Sequence, residues 1–430
     1  MDTVVIGAGL SGLAATERLV AAGAAVTLLE ARARLGGRVW TERRPGGVAV
    51  ELGPEWIGND GPVHDLLALT GARLAEAGGR QLRRRGDGWV DLSDLDDARR
   101  RLVRRANETA GPDRPLMAAL AECCAEPEAA ESRDHLLRYV EGFHAADPAR
   151  LSTRWLAEAE ANQPADASEI RAPDGVGRVV DELSSRLEGR CDLRLGTVAR
   201  GVRWRPGSVQ IETAAGDTFR ATSAVISIPL PLFDPAADEV AAVRFAPRLH
   251  PKLDAARLLE TGQVVKLVLG FRDPFWLEIG PLDGMLFLHD YEQPIPTWWA
   301  PAEPSVPMLT GWAGGPYAAR LAAVKGDELL DLAVGSLAHA LGVSPRGVAA
   351  RLEFHHFHDW RSDPFARGAY TYVTVGGAEA HRELAEPVAG TLYFAGEATC
   401  GGGFNATMDG ALRSGRRAAE ELLSQSRKTP

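Results

Sequence analysis

The 430-residue sequence is poor in sulfur and in aromatic side chains: four cysteines, five methionines, and 7% Phe, Trp and Tyr. The cysteines, Cys123, Cys124, Cys191 and Cys400, form no CxxC pair. A disulfide scaffold or a zinc ribbon is therefore excluded, and adjacent Cys123 and Cys124 are expected not to bridge each other. This usage reads as a reducing compartment. No apolar run approaches the ~18 residues of a membrane span. Basic charge is short: 48 Lys and Arg stand against 58 Asp and Glu, for a net charge of -10. That balance argues against a nucleic-acid binder, which needs a basic surface. P-loop, GxSxG and HExxH motifs are absent, as are internal repeats and low-complexity linkers. The chain opens MDTVVIGAG, with no charged and then apolar leader, and closes on the polar SQSRKTP. No secretion signal and no membrane anchor are expected, and a cytoplasmic location is.

What is present is an ordinary globular composition, 45% hydrophobic and 25% charged. The length suggests two or three domains at about 150 residues each. Residues 3–6 read as a buried strand, 7–12 as a glycine turn, 13–22 as a helix ended by Gly23, and 25–30 as a second strand. This is βαβ grammar. Residues 64–172 read as mainly helical. The loop PDGVGR (173–178) leads to a helix at 179–187, and strands follow at 192–204, 207–213, 218–228 and 262–271. A Pro- and Trp-rich stretch (274–316), a helix (326–341), a strand (350–357), TLYFAGEA (391–398) and a final helix (407–423) complete the chain. The β-rich tracts come in separated blocks, so interleaved domains are expected.

The strongest motif is Gly7-Ala8-Gly9-Leu10-Ser11-Gly12. Gly7 allows the tight turn, Gly9 lets backbone approach a pyrophosphate, and Gly12 lets helix and strand pack closely. Ser11 lies in the first turn of the helix, whose N-terminus faces the phosphate charge. Glu30 ends the second strand, where a carboxylate accepts from ribose hydroxyls. A glycine turn without a ligand is the competing reading. Arg34-Leu35-Gly36-Gly37-Arg38 then offers a second close approach and a charge-assisted donor, as an extended flavin dinucleotide needs, with a surface turn as the alternative.

With Glu51-Leu52-Gly53-Pro54-Glu55-Trp56-Ile57-Gly58 added, the chain resembles the flavin-containing amine oxidases: monoamine and polyamine oxidases, flavin-type histone demethylases and bacterial amino-acid oxidases. GAGLSG, EARARLGGR, ELGPEWIG, PDGVGR, AVISIPLP, the strand around Lys266 and FAGEAT…ATMDGALRSGRRAA stand in family order over nearly the whole chain. The resemblance implies an α/β fold: a Rossmann-type FAD-binding domain (GR2-type) from 1–75, 173–232 and 360–430, interleaved with an α+β substrate-binding domain from 76–172 and 233–359. It implies FAD contacts along Ala31, Arg32, Gly36, Gly37 and Arg38, along Pro54, Glu55, Trp56 and Ile57, and at Val198 for the adenine. Gly396 and Glu397 would follow the pyrophosphate and ribityl chain. Thr407 and Met408, at the last helix N-terminus, would face the flavin pyrimidine. Trp360 matches a tryptophan near the flavin, with a core role as the alternative.

Lys266 interrupts an apolar strand and is expected to be catalytic. In the family, the matching lysine binds a water beside flavin N5 and is thought to assist reoxidation; a solvated edge-strand lysine is the alternative. Ala369 stands where some relatives carry the cysteine that bonds flavin, so noncovalent FAD is implied. Tyr370 matches the first tyrosine of the aromatic cage, and Thr407 replaces the second. Glu55 has two readings: a base or cation ligand at the reacting bond, or a structural salt bridge. Trp298 and Trp299 are read as cavity lining or as core. His355, His356 and His358 lack a further ligand, so no metal is expected. Basic clusters at 83–85 and 99–105 read as solvated faces.

The function implied is FAD-dependent oxidation of a C–N bond in an amine, an amide or an amino-acid-derived substrate. Hydride passes to flavin N5, giving an imine and hydrogen peroxide. Some bacterial relatives serve secondary-metabolite routes such as antibiotic biosynthesis, and the Ala-, Arg- and Gly-rich composition suits a GC-rich bacterium. A C–C desaturase and a non-catalytic FAD-binding protein are the alternatives. The partners expected are a small substrate and O2, with no nucleic acid and no membrane; a homodimer stands as one reading of the assembly.

Overall fold

The computed structural model describes residues 2–108, 111–161, 169–233, 241–303 and 305–426. The β-branched run at the start forms Asp2–Ile6, the middle strand of a five-stranded parallel sheet. Its neighbours are Ala25–Leu29 and Ser223–Ile226, with Asp192–Arg194 and Leu392–Phe394 at the edges. Both faces of such a sheet must be covered, and side-chain alternation divides the work. Val5, Leu28, Val225 and Tyr393 pack against the first helix, Leu10–Ala21, and the last, Met408–Ser426. Val4, Ile6, Leu29 and Phe394 face the opposite way, into a four-stranded sheet built from Ala199–Arg205, Ser208–Thr213, Thr218–Ala221 and Arg244–Ala246.

A second, seven-stranded sheet is mostly antiparallel. Its order is Leu352–His358, Val264–Phe271, Met308–Gly314, Thr297–Trp299, Met285–His289, Arg80–Arg85, Gly88–Asp91. The helix Gly326–Leu341 covers it with Leu329, Ala333, Leu337 and Leu341. Helices Leu95–Glu108, Leu116–Cys123, Ala130–Phe143 and Thr153–Ala161 carry a further core cluster.

Four readings of the sequence need correction. Residues 64–172 are not wholly helical, because Arg80–Arg85 and Gly88–Asp91 form a hairpin. The arginines of RQLRRR hide the strand alternation, and two of their guanidinium groups lie over rings: Arg83 on Tyr291 and Arg84 on Trp89. The runs 192–204 and 218–228 are each two strands in two different sheets; the first divides into Asp192–Arg194 and Ala199–Arg205, and the second parts at Thr222, whose amide donates to Asp2 O at 3.1 Å. Cys123 and Cys124 are disulfide-bonded to each other. Cys123 ends its helix and Cys124 leaves helical geometry (φ -136°, ψ 39°), which turns the two sulfurs together. Cys191 and Cys400 are free.

Candidate active site

A cavity of about 920 Å³ opens at the C-terminal ends of the parallel strands and continues to the face of the seven-stranded sheet around Lys266. That is where open α/β sheets bind ligands. Gly7 turns with φ +99° at the end of the first strand, and Gly9, Leu10 and Ser11 line the cavity at the first helix N-terminus. The first amides of a helix have no partner within it, and no acidic side chain occupies this first turn. Gly12 lies beneath the cavity, where a Cβ would overlap Gly7 O and Ser227 Oγ. Gly9 bridges to Gly36, and a Cβ on Gly37 would come within 3.1 Å of Gly9 Cα. Glu30 accepts the amides of Ala8 at 2.7 Å and Arg32 at 2.9 Å, which fixes its carboxylate on the cavity wall. Glycine cradle, free helix amides and terminal carboxylate together fit a dinucleotide.

The other wall centres on Glu55. Burial alone would raise its pKa, but Lys266 and Arg171 beside it outweigh burial and bring it down to about 2. Lys266 Nζ donates to Glu55 Oε2 at 2.6 Å and to Gly53 O at 2.8 Å. Trp299 Nε1 donates to Glu55 Oε1 at 2.8 Å, and Arg171 Nη2 donates to the same oxygen. Lys266 is 3% exposed and Glu55 5%. The lysine sits on an inner strand, paired with Trp312 on one side and His358 on the other. It is not a solvated edge residue.

Aromatic rings line both sides. Trp299 meets Trp56 and Phe287 at 6.0 Å, Phe287 stacks on Trp56 at 5.1 Å, and the row runs on through His289 to Tyr291. A second row runs Tyr139, Phe143, His144, Trp155. Burial holds the pKa of His144 and His289 at about 3, so both imidazoles are neutral at physiological pH. Tyr370 donates its hydroxyl to Phe143 O at 2.7 Å.

Of the residues expected from sequence to bind FAD or to be catalytic, all but Gly12 line this one cavity, from Gly7 to Met408. Trp298 and Trp299 part company. Strand alternation sends Trp299 to the cavity and Trp298 into the core, fully buried against Gly311. Trp360 is 4% exposed and donates to Leu52 O at 2.8 Å. Thr407 caps the last helix, accepting from Gly410 N at 2.9 Å. Glu397 is clamped by Arg38 at 3.0 Å, Thr371 Oγ1 at 2.6 Å and Ala406 N at 3.0 Å. His356 pairs with Glu42 and His358 with Asp363, and no metal-binding group occurs among the described residues. Sequence reading missed Arg171, Glu51, Tyr139, His144, Glu169 and His289. Glu51 stood inside the ELGPEWIG motif without being singled out, and the others had no local signal.

The family model described as flavin containing amine oxidoreductase matches residues 10–423. The chain belongs to that family. This amine oxidoreductase is 29% identical to polyamine oxidase 1 of Oryza sativa subsp. japonica, across 99% of this chain and 97% of that one. It is 27% identical to putrescine oxidase of Kocuria rosea, across 98% and 95%. A putrescine oxidase solved with putrescine bound superposes with a TM-score of 0.81 at 21% identity, covering 98% of this chain and 99% of that one. The enzyme is thus an FAD-dependent oxidoreductase of mixed α/β fold. Ala369 lines the cavity and none of the four cysteines does, so no thiol is placed there to bond FAD. No described helix is long and apolar enough to cross a membrane.

Proposed function

We propose that this amine oxidoreductase oxidises the C–N bond of an amine to the imine, with O2 as final acceptor and hydrogen peroxide as by-product. The observation that carries the reading is the buried Lys266–Glu55 ion pair on the wall of the cavity that the glycine turn also lines. When bound, FAD supplies the two-electron chemistry. The chain's residues bind, orient and exclude water. The first-helix amides and Glu30 receive phosphate and ribose. Val198 takes the adenine end, and Arg38, Gly396 and Glu397 take the chain between. An ammonium has three donors, and two of those on Lys266 are committed to Gly53 and Glu55. The third is left for a water or for oxygen, and a fixed cation stabilises negative charge developing on oxygen.

Glu55 stays ionised, held by Lys266, Arg171 and Trp299, so it positions Lys266 and takes no proton from substrate. Tyr370 presents its ring to the substrate, and its buried phenol has a pKa raised by desolvation and stays neutral. The aromatic rows keep water from the reacting bond.

The test is spectroscopic. Purified protein is expected to be yellow, to release FAD on acid precipitation, to bleach anaerobically with an amine, and to form peroxide when air returns. Bleaching by no amine overturns the reading. Turnover of an alkane-to-alkene substrate instead favours the C–C desaturase, and FAD binding without turnover of either class favours the non-catalytic protein.

A further inference from the structure

Asp363 ties Arg32, 331 residues earlier in the chain, to His358. It is 7% exposed, and both of its carboxylate oxygens are engaged. Oδ1 accepts Arg32 Nη2 at 2.8 Å and Phe365 N at 2.8 Å, and Oδ2 lies 2.7 Å from His358 Nε2. Burial alone would raise the Asp363 pKa, but His358 and Arg32 bring it down to about 2, so the group is ionised at physiological pH.

The two partners come from different walls. Arg32 follows Ala25–Leu29 of the parallel sheet, and its amide donates to the Glu30 carboxylate at 2.9 Å. Its carbonyl accepts Gly196 N at 2.9 Å, and Glu30 O accepts Thr197 N at 2.8 Å. The backbone of Arg32 is thereby fixed to the loop that leads to Val198. Glu30, Arg32, Thr197 and Val198 all line the cavity, at the end assigned to ribose and adenine. His358 lies on Leu352–His358, in register with Lys266, and its ring meets Trp360 at 4.4 Å and Trp40 at 5.0 Å.

Asp363 itself does not line the cavity, whereas Arg32 and Phe365 do. The carboxylate therefore acts through the arginine. A free arginine side chain samples many rotamers, and a ligand that uses it must order it. Here the ordering is done in advance: the Arg32 side chain is 13% exposed, bonded to Asp363, with its guanidinium 5.2 Å from the Phe365 ring centroid. A guanidinium carries five donor hydrogens, and Asp363 takes one at Nη2. Phosphate and ribose oxygens are the acceptors that suit the others, and to phosphate those bonds are charge-assisted.

We propose that Asp363 is a positioning residue for the adenylate half of FAD: it presents Arg32 to the phosphate and ribose oxygens there, while His358 and Phe365 N hold Asp363 in the orientation to do so. The assignment rests on the placement of the adenylate at Glu30 and Val198.

The test measures binding to apoprotein: FAD by quenching of flavin fluorescence, and ADP, the adenylate half without the flavin, by calorimetry. The proteins are wild type, Asp363→Asn, Arg32→Ala and the double variant. Wild type is expected to bind both ligands. Asp363→Asn should weaken both by the same factor, about tenfold or more, the size of one charge-assisted contact. The double variant should bind no more weakly than Arg32→Ala alone, because a residue that acts through Arg32 has nothing left to lose. Unchanged affinities in Asp363→Asn, a loss on FAD without a loss on ADP, or losses that add in the double variant overturn the proposal and leave the adenylate placement standing. Wild-type apoprotein that binds FAD but not ADP overturns both. If Asp363→Asn does not fold, a length swap decides. Arg32→Lys alone should lose FAD affinity, and adding Asp363→Glu, a longer carboxylate for a shorter cation, should recover part of it; no recovery overturns the proposal.

Discussion

Lys266 and Glu55 lie 211 residues apart in the chain and meet at 2.6 Å in its interior. The lysine comes from the seven-stranded sheet and the glutamate from the loop before Ile57–Gly58. The pair therefore joins the substrate wall to the segment expected to run beside the flavin.

Replacing Lys266 by methionine removes the cation while keeping its volume. Oxygen reactivity should fall by about 100-fold, the scale of one preorganised charge, while anaerobic bleaching by amine slows far less. Stopped-flow traces of both half-reactions check this. A variant that reoxidises at the wild-type rate removes the proposed role.

Glu55→Gln leaves Lys266 and Arg171 without their shared counter-charge. Stability should drop by about 3 kcal/mol, as when one partner leaves a buried pair, measured by urea unfolding. The pH dependence gives a second signature. The folded carboxyl has a pKa of about 2, below its unfolded value of about 4.5, so its contribution is complete above pH 4.5 and is lost as pH falls toward 2. The Gln variant should lack that part of the acid loss.

Glu51 runs the other way. Burial lifts its pKa to about 7 despite Lys266 nearby and donors from Thr41 and Val176. The folded state favours its neutral form, so its contribution is complete below about pH 4.5 and is lost as pH rises through 7. Glu51→Gln should flatten the stability curve between pH 5 and 8, read from thermal midpoints across that range.

Gly12→Ala puts a methyl into Gly7 O. The first helix must then move off its strand, and the purified protein should carry little FAD, measured as the ratio of visible to ultraviolet absorbance. Thr407→Ala removes a helix cap and should cost about 1 kcal/mol, with Thr407→Ser retaining most of it.

The cofactor half was legible because its signals are local. Gly7, Gly9, Gly12 and Glu30 lie within one βαβ unit, and each has a steric or charge reason to be what it is. Lys266 was legible as a charge in an apolar strand. Glu55 was ambiguous until Arg171 and Trp299 appeared beside it, since no spacing announces partners 116 and 244 residues away. Trp298 and Trp299 could not be told apart without the strand register. Arg80–Arg85 passed for helix because four of its six residues are arginines, and Glu169 looked like any surface glutamate.

The parallel sheet is closed by Leu392–Phe394, and the first helix lies against the last, where Gly415 leaves room for Ser11 O. Asp2–Ile6 and Ala25–Leu29 therefore wait, during synthesis, for Leu392–Phe394 far along the chain. Until residues 392–394 and 408–426 are made, the parallel sheet lacks one edge strand and one of its covering helices. A chain that stops before residue 408 would lack that helix and should be unable to hold its flavin, so colour in the purified protein doubles as a check that the helix Met408–Ser426 is present.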